Sequence, residues 1–148
     1  MIRLTYDPFD PGAQLTAFSQ GRSETGAIAT FTGLARAEAG AATRLELEAY
    51  PGFTEAEIGK IAEQARSRFG LDDLAILHRV GAIAPGEAIV FVATAGAHRR
   101  AAFEACDFLM DYLKSRAPFW KKEVGPDGAR WIEPRSSDHA DIARWETP

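Results

Sequence analysis

The chain has 148 residues, of which 46% are hydrophobic and 26% are charged, which suffices for a globular domain with a packed core. Its formal net charge of -4 disfavours general nucleic-acid binding, which usually requires a broad basic surface. No apolar run approaches the roughly 20 residues that a membrane-spanning helix needs, and residues 1–12 contain acids and prolines where a secretory signal would be apolar. The composition predicts one cytoplasmic domain, residues 1–148, that binds neither nucleic acid nor a membrane.

Local signals place several elements along the chain. Asp10 before Pro11 suits the N-cap of a short helix. Thr54 and Glu57 form a capping-box pattern, T-x-x-E, ahead of apolar residues at helical spacing, and Gly70 ends that helix. The predicted elements are a strand at 2–6, a short helix at 10–18, strands at 26–33 and 43–50, a helix at 54–69, strands at 74–80 and 87–95, a helix between 98 and 118, and a hairpin of strands 119–124 and 129–133.

The order of the main elements, ββαββαββ, has links that are mostly of hairpin length. This order favours an α+β domain with a mixed or antiparallel sheet and two main helices over a doubly wound parallel sheet. From about residue 134 the chain is a polar tail that has no clear period apart from Trp145, so no element is predicted there.

The cysteine and histidine content bears on metal and redox chemistry. Cys106 is the single cysteine, which excludes an internal disulfide and a zinc site made of several thiolates. It falls among apolar residues at helical spacing, which predicts a buried structural thiol. His78, His98 and His139 lie far apart in the sequence, so only the fold could assemble them into a zinc site. We therefore expect no metal ligands and no cofactor.

The stretch from His98 to Lys122 is the most unusual part of the sequence. It holds six of the 17 Lys and Arg residues of an acidic chain, and such a local basic excess indicates anion binding. Its centre has the spacing of an amphipathic helix. The predicted apolar face comprises Ala102, Phe103, Cys106, Leu109, Met110 and Leu113, and the solvated face comprises Arg100, Glu104, Asp107 and Asp111.

Both ends of this helix carry candidate functional residues. His98 and Arg99 lie at its start, where free N–H groups and the helix dipole favour anions. Lys114 and Lys121 flank the corner at Pro118, and crowded or desolvated lysines can act as acid, base or nucleophile. A merely solvated basic surface explains the same pattern, and the residue types alone leave both interpretations open.

Several segments of the chain together resemble one protein family. They are GAIATFTG followed by Arg36, then LELEAYPG, HRVG, the second His-Arg pair at 98–99, and AFEACDFLMDYLKSRAPFWKKE. From about Gly26 to Asp138 the chain resembles the large, catalytic subunit of molybdopterin synthase.

This resemblance implies a hammerhead-type α+β fold and a sulfurtransferase activity. The family converts cyclic pyranopterin monophosphate (precursor Z) into molybdopterin by forming its dithiolene. The sulfur comes from the Gly-Gly thiocarboxylate at the C-terminus of a small ubiquitin-like carrier subunit. The large subunits form a central homodimer with one small subunit at each end, which makes a heterotetramer.

The resemblance also implies roles for individual residues. Lys114 and Lys121 match the catalytic lysines of the family, and Lys114 is expected at the carrier's C-terminus. Leu34 stands where some relatives have a lysine, and Arg100 where a small or polar residue is commoner. The expected substrate-binding residues are Arg36, His98, Arg99, Lys114, Lys121, Lys122, Glu123 and Arg135.

Two other functions remain as alternatives. A non-catalytic dimeric module could bind an anion or a carrier tail, in which case binding would weaken with salt and no product would form. A metal-dependent hydrolase could use the histidines, in which case chelation would abolish activity.

Overall fold

The computed structural model describes residues 1–36, 44–132 and 136–146. Within these residues, no helix has the length and apolarity needed to cross a bilayer. The elements of the described chain are β1 (Ile2–Thr5), α1 (Pro11–Ser19), β2 (Ala27–Leu34), β3 (Arg44–Ala49), α2 (Phe53–Phe69), β4 (Asp73–Arg79), β5 (Gly81–Ile83), β6 (Ala88–Gly96), α3 (Arg99–Ser115), β7 (Phe119–Gly125), β8 (Gly128–Ile132) and α4 (Ser136–Glu146).

The described strands form two four-stranded sheets. The first sheet has the order β1-β4-β6-β2 and is mixed, since β1 runs parallel to β4 while the other pairs are antiparallel. The second sheet has the order β5-β3-β7-β8 and is antiparallel throughout. The predicted α+β class with mixed or antiparallel pairing and two main helices, α2 and α3, is therefore confirmed.

The first sheet is covered on both faces. On one face α2 and α3 pack against it, and Ile76 of β4 and Leu109 of α3 belong to this main core. On the other face α1 packs against Leu77 and Phe91 through Phe18. Burial on both faces explains why β6 is apolar along nearly its whole length and why the centre of β4, residues 74–77, is apolar.

A smaller core lies where the two sheets meet. Its buried residues are Ala35, Leu47 and Ile83, and Phe119 packs against them. Phe119 also packs against the main core. The first residue of β7 thus joins the second sheet to the first, which sets the position of the rest of β7.

Two of the predicted helix caps are confirmed. Asp10 is the N-cap of α1, and its Oδ1 accepts a hydrogen bond from the Gly12 N–H at 2.9 Å. Gly70 follows α2 in the left-handed conformation, with a φ of 62°, which glycine adopts at no steric cost.

The predicted capping box of Thr54 and Glu57 is wrong. The helix begins one residue before Thr54, and the Glu55 carboxylate accepts the hydrogen bond from the N–H of Gly52 at 3.1 Å. Gly52 has a φ of 81°, which lets the helix start directly after the turn. The hydroxyl of Thr54 instead makes a tertiary contact and donates to the carbonyl oxygen of Pro118 at 2.9 Å.

The predicted faces of α3 are wrong at two positions. Phe103 was placed on the apolar face but is 65% exposed, and Asp111 was placed on the solvated face but is only 9% exposed. The carboxylate of Asp111 accepts hydrogen bonds from Arg144 and from the indole N–H of Trp145. Asp111 is buried because α4 covers it, and no helix was predicted there.

The polar tail predicted from about residue 134 contains α4, which is a correction to the sequence interpretation. Ile142 is buried, and the Trp145 ring contacts the rings of Phe69 and Phe108. Two anchoring apolar residues are too few to produce a clear helical period, so the tertiary contacts decide this helix. The strand β5 was also missed, because three residues cannot display an alternating pattern.

Candidate functional site

A cavity of about 560 Å³ lies between the two sheets and the C-terminal half of α3. The last residues of β2, the inner sides of β3 and β7, and the last turns of α3 contribute to its walls. Most of its lining is apolar. Its charged lining residues in the described chain are the cations Arg36, Arg44, Lys114 and Lys121 and the acids Glu123 and Asp138.

Lys114 and Lys121, the two lysines predicted to be close, line this same cavity. Lys114 is in the last turn of α3, and Lys121 is the third residue of β7, on the side that faces the cavity. The corner between them is held by the Thr54 hydroxyl, which donates to the carbonyl oxygen of Pro118 at 2.9 Å. A fully buried side chain of α2 therefore fixes the segment that joins the two lysines.

His78, which the sequence did not single out as a site residue, forms part of the cavity wall. Its Nδ1 lies 2.8 Å from the carbonyl oxygen of Arg79, which can only accept, so Nδ1 carries the proton and donates. The ring stacks on Phe119 with a centroid distance of 4.2 Å. Burial is the main cause that lowers the pKa of His78 to about 4; the charges of Lys114 and Lys121 act in the same direction, and the hydrogen bond to the Arg79 carbonyl opposes them. His78 is therefore neutral near pH 7.

Two arginines lie on the wall formed by β2 and β3. Arg36, which was predicted, is exposed and follows the end of β2, where Leu34 also lines the cavity. Arg44, the first residue of β3, lines the cavity but was not predicted as a site residue. It also forms an ion pair with Glu46, with an Nε–Oε1 distance of 3.0 Å.

The remaining predicted residues of the 121–135 segment differ in where they lie. Glu123 lines the cavity and pairs with Arg130 at 3.1 Å. Lys122 is on the opposite side of β7, because successive side chains of a strand alternate. There it pairs with Glu46 at 3.7 Å. Arg135 lies outside the described residues, so its predicted role stays a prediction.

His98 and Arg99 are not among the residues that line the cavity. His98 is the N-cap of α3 and Arg99 is its first residue, and both are exposed. Lys114 lies fifteen positions further along the same helix, a distance of roughly 22 Å at 1.5 Å per residue. Within one copy of the chain, His98 and Arg99 therefore lie far from Lys114.

Asp138 was also missed by the sequence interpretation. It lies on α4 and lines the cavity, and its carbonyl oxygen accepts a hydrogen bond from the Ser115 hydroxyl at 2.7 Å. The only sequence signal near it was Trp145, the apolar residue that anchors α4 on the main core.

The three histidines lie on three different elements. His78 is buried on β4, His98 caps α3, and His139 is exposed on α4. In the part of the chain that the structure describes, no three His, Cys, Asp or Glu side chains are grouped as metal ligands.

Cys106 is buried, as predicted. Burial, and to a smaller extent the neighbouring charge of Asp107, raises the pKa of its thiol to about 11. The thiol therefore stays protonated near neutral pH, and a protonated thiol is a poor nucleophile.

The cavity has the physical character of an anion site. Four cationic and two anionic side chains line it in the described chain, and apolar side chains cover most of the remaining wall. Arg36, Arg44 and Lys114 are exposed and Lys121 is partly buried, so an anion that enters from solvent can reach all four cations and accept charge-assisted hydrogen bonds from them. Such a site can bind a carboxylate-like or phosphate group and stabilise an anion that forms during group transfer.

Comparisons with known proteins give consistent results. The family described as MoaE protein matches residues 4–116. A molybdopterin synthase catalytic subunit from Caulobacter vibrioides is 68% identical over 146 residues, which are 99% of this chain and 97% of that protein. Another, from Mesorhizobium japonicum, is 52% identical over 99% of this chain and 93% of that protein. The solved molybdopterin biosynthesis MoaE protein from Burkholderia ambifaria has a TM-score of 0.85 and 47% identity, covering 100% of this chain and 99% of that one.

Proposed function

The chain belongs to the MoaE family, the catalytic subunits of molybdopterin synthase, and we propose that it forms the dithiolene of molybdopterin from cyclic pyranopterin monophosphate. It is an enzyme of molybdenum cofactor biosynthesis. The observation that carries the proposed reaction is that Lys114 and Lys121 line the same cavity. The cytoplasm is its proposed location.

The proposed sulfur donor is a small ubiquitin-like subunit whose C-terminal Gly-Gly ends in a thiocarboxylate. A tail of two glycines has no side chains, so it needs little room in the cavity. Its terminal group is an anion, which matches the cationic lining of the cavity. This donor also fits the state of Cys106, whose thiol is too buried to carry sulfur itself.

The proposed roles of the two lysines follow from their position. Attack by the thiocarboxylate sulfur on a substrate carbon develops negative charge on the substrate oxygen, which leaves with a proton, and joins carrier and substrate through a thioester. Water then cleaves the bond between the acyl carbon and the sulfur, so that the sulfur stays on the substrate and the carrier ends in a carboxylate. Lys114, at the end of α3, stabilises the carrier terminus, and Lys121 faces the same space from β7. Both ammonium groups can lower the energy of the anionic intermediates and exchange protons with them.

The proposed site also uses arginines and residues from a second copy of the chain. Arg36 binds the substrate phosphate through its two-pronged guanidinium. His98 and Arg99 lie too far from the cavity of their own chain, so the homodimer partner would supply this pair. Phe103, one turn after Arg99, is 65% exposed in the single chain and would be covered in such a dimer. One carrier on each protomer makes the proposed heterotetramer.

Reconstitution with a thiocarboxylated small subunit and cyclic pyranopterin monophosphate tests the reaction. We expect the wild-type chain to form the dithiolene and Lys114→Ala to lose about 100-fold or more in rate, the scale of lost electrostatic or acid–base help. Lys60→Ala is the matched control, because Lys60 is an exposed lysine on α2 that pairs with Glu57. Normal dithiolene formation by Lys114→Ala would refute its role.

The non-catalytic alternative makes a different prediction for the same experiment. It expects salt-sensitive binding of the substrate or carrier but no product from any sulfur donor. High identity to proteins named as catalytic subunits favours the enzyme over this alternative.

A further inference from the structure

The main chain at Arg36 is fixed by a turn that precedes β6. The N–H of Ala35 donates to the carbonyl oxygen of Glu87 at 2.9 Å, and the N–H of Gly86 donates to the carbonyl oxygen of Ala35 at 2.7 Å. The second bond holds the peptide unit that joins Ala35 to Arg36. Ala35 is itself only 6% exposed, so its position is set by packing as well.

The side chain of Glu87 stabilises this turn. One carboxylate oxygen, Oε1, accepts from the N–H of Ala84 at 2.7 Å, and the Glu87 N–H donates to the carbonyl oxygen of Ala84 at 3.1 Å. Gly86 has a φ of 90°, a conformation that suits glycine. The carboxylate thus closes the same turn whose main chain clamps Ala35.

The other carboxylate oxygen of Glu87 faces a buried cation. Its Oε2 lies 3.4 Å from Nη1 of Arg79, whose side chain is only 4% exposed, and Nη2 of Arg79 donates to the carbonyl oxygen of Ala82 at 2.8 Å. A buried guanidinium is costly unless an anion pairs with it. This requirement ties Glu87, and with it the turn, to the end of β4.

We propose that Glu87 is a positioning residue for Arg36. Paired with Arg79, it holds the 84–87 turn against Ala35 and so sets the direction from which the Arg36 side chain enters the cavity. The inference deepens the proposed function and rests on the role of Arg36 in binding the substrate phosphate. A guanidinium that binds a phosphate with two parallel hydrogen bonds needs this kind of orientation, because small misplacements lose both bonds together.

A double-mutant cycle on the reconstituted synthase tests this inference. Arg36→Ala is expected to raise the KM for cyclic pyranopterin monophosphate by roughly 10- to 100-fold. Glu87→Gln keeps an acceptor for the Ala84 N–H but removes the charge that pairs with Arg79, and we expect it to raise KM by roughly 3- to 10-fold with kcat nearly unchanged. In the Arg36→Ala background, the same substitution is expected to change KM by less than about 1.5-fold.

Glu57→Gln is the matched control, because Glu57 is a surface carboxylate on α2 that also pairs with one cation. It should leave KM unchanged in both backgrounds, and thermal unfolding of each variant checks that the fold is retained. If Glu87→Gln raises KM equally with and without Arg36, or leaves it unchanged, the positioning role is wrong while the proposed function stands. If Arg36→Ala leaves KM unchanged, the proposed phosphate site itself is wrong.

Discussion

His78 and Cys106 show how burial changes the protonation of side chains in this chain. His78 is held neutral in the cavity wall, with its pKa lowered to about 4 by burial and by the charges of Lys114 and Lys121. A neutral imidazole beside two ammonium groups adds no further positive charge, and its Nδ1–H is already donated to the carbonyl oxygen of Arg79. Its unprotonated Nε2 is left as an acceptor.

The Cys106 thiol is expected to be unreactive in the folded protein. Its pKa is raised to about 11, so at pH 8 the thiolate fraction is more than about 100-fold below that of a free cysteine. Titration with a disulfide reagent should detect almost no thiol in the native chain and one per chain after unfolding. Rapid native reaction would show that the helix opens readily or that the thiol is not buried.

At the scale of elements, α4 is attached to α3 through a carboxylate. Arg144 donates to Asp111 at 2.6 Å and to Asp107 at 2.8 Å, and the hydrogen bond to Asp111 is the main reason that the pKa of Arg144 is raised. Trp145 donates to the same Asp111 oxygen. Since α4 carries Asp138 to the cavity, these contacts connect the attachment of the helix to the site.

Asp111→Asn is expected to loosen α4. The substitution removes the charge that Arg144 and Trp145 share in a mostly buried position, and the expected cost is about 1–3 kcal/mol of the free energy of unfolding. Hydrogen exchange of residues 136–146 should become faster. Glu146→Gln is the control, because its pair with Arg116 is exposed on both sides and should contribute under about 1 kcal/mol. Equal effects of both substitutions would contradict a special role for Asp111.

At the scale of the whole molecule, the separation of the two ends of α3 has a consequence for assembly. Lys114 of a chain and its His98–Arg99 pair lie roughly 22 Å apart along α3. In a two-fold symmetric dimer, each cavity can receive this pair from the other chain. The proposed site is then shared between protomers.

Mixing two inactive variants tests this sharing. A dimer of one Lys114→Ala chain and one Arg99→Ala chain would have one intact and one doubly altered site. Random exchange of subunits makes half of the dimers mixed, so we expect activity to return to about one quarter of the wild-type level. If each chain uses its own His98 and Arg99, mixing restores nothing. The unmixed variants, treated identically, are the control.

Much of the fold could be predicted from local patterns. Three features were predicted from residues that are neighbours in the sequence, and all three are present. They are the strand from the alternation at 43–50, the helix from the spacing that begins near Thr54, and the end of that helix at the glycine after Phe69. The capping box failed because the turn at Gly52 moved the helix start and a tertiary partner took the Thr54 hydroxyl. The helix α4 was not predicted, because contacts with Asp111, Phe69 and Phe108 stabilise it and its own sequence has no clear helical period.

For the candidate site, the sequence by itself determined the basic stretch at 98–122, the corner at Pro118 and, through the family resemblance, the expected roles of the lysines. Only the tertiary structure decided that Lys114 and Lys121 line one cavity, that His78 forms its wall, and that His98 and Arg99 lie elsewhere. The physical reason is that residue type and spacing determine only local structure, such as the period of a helix or the position of a turn. The neighbours that set burial, charge and direction come from distant strands and helices.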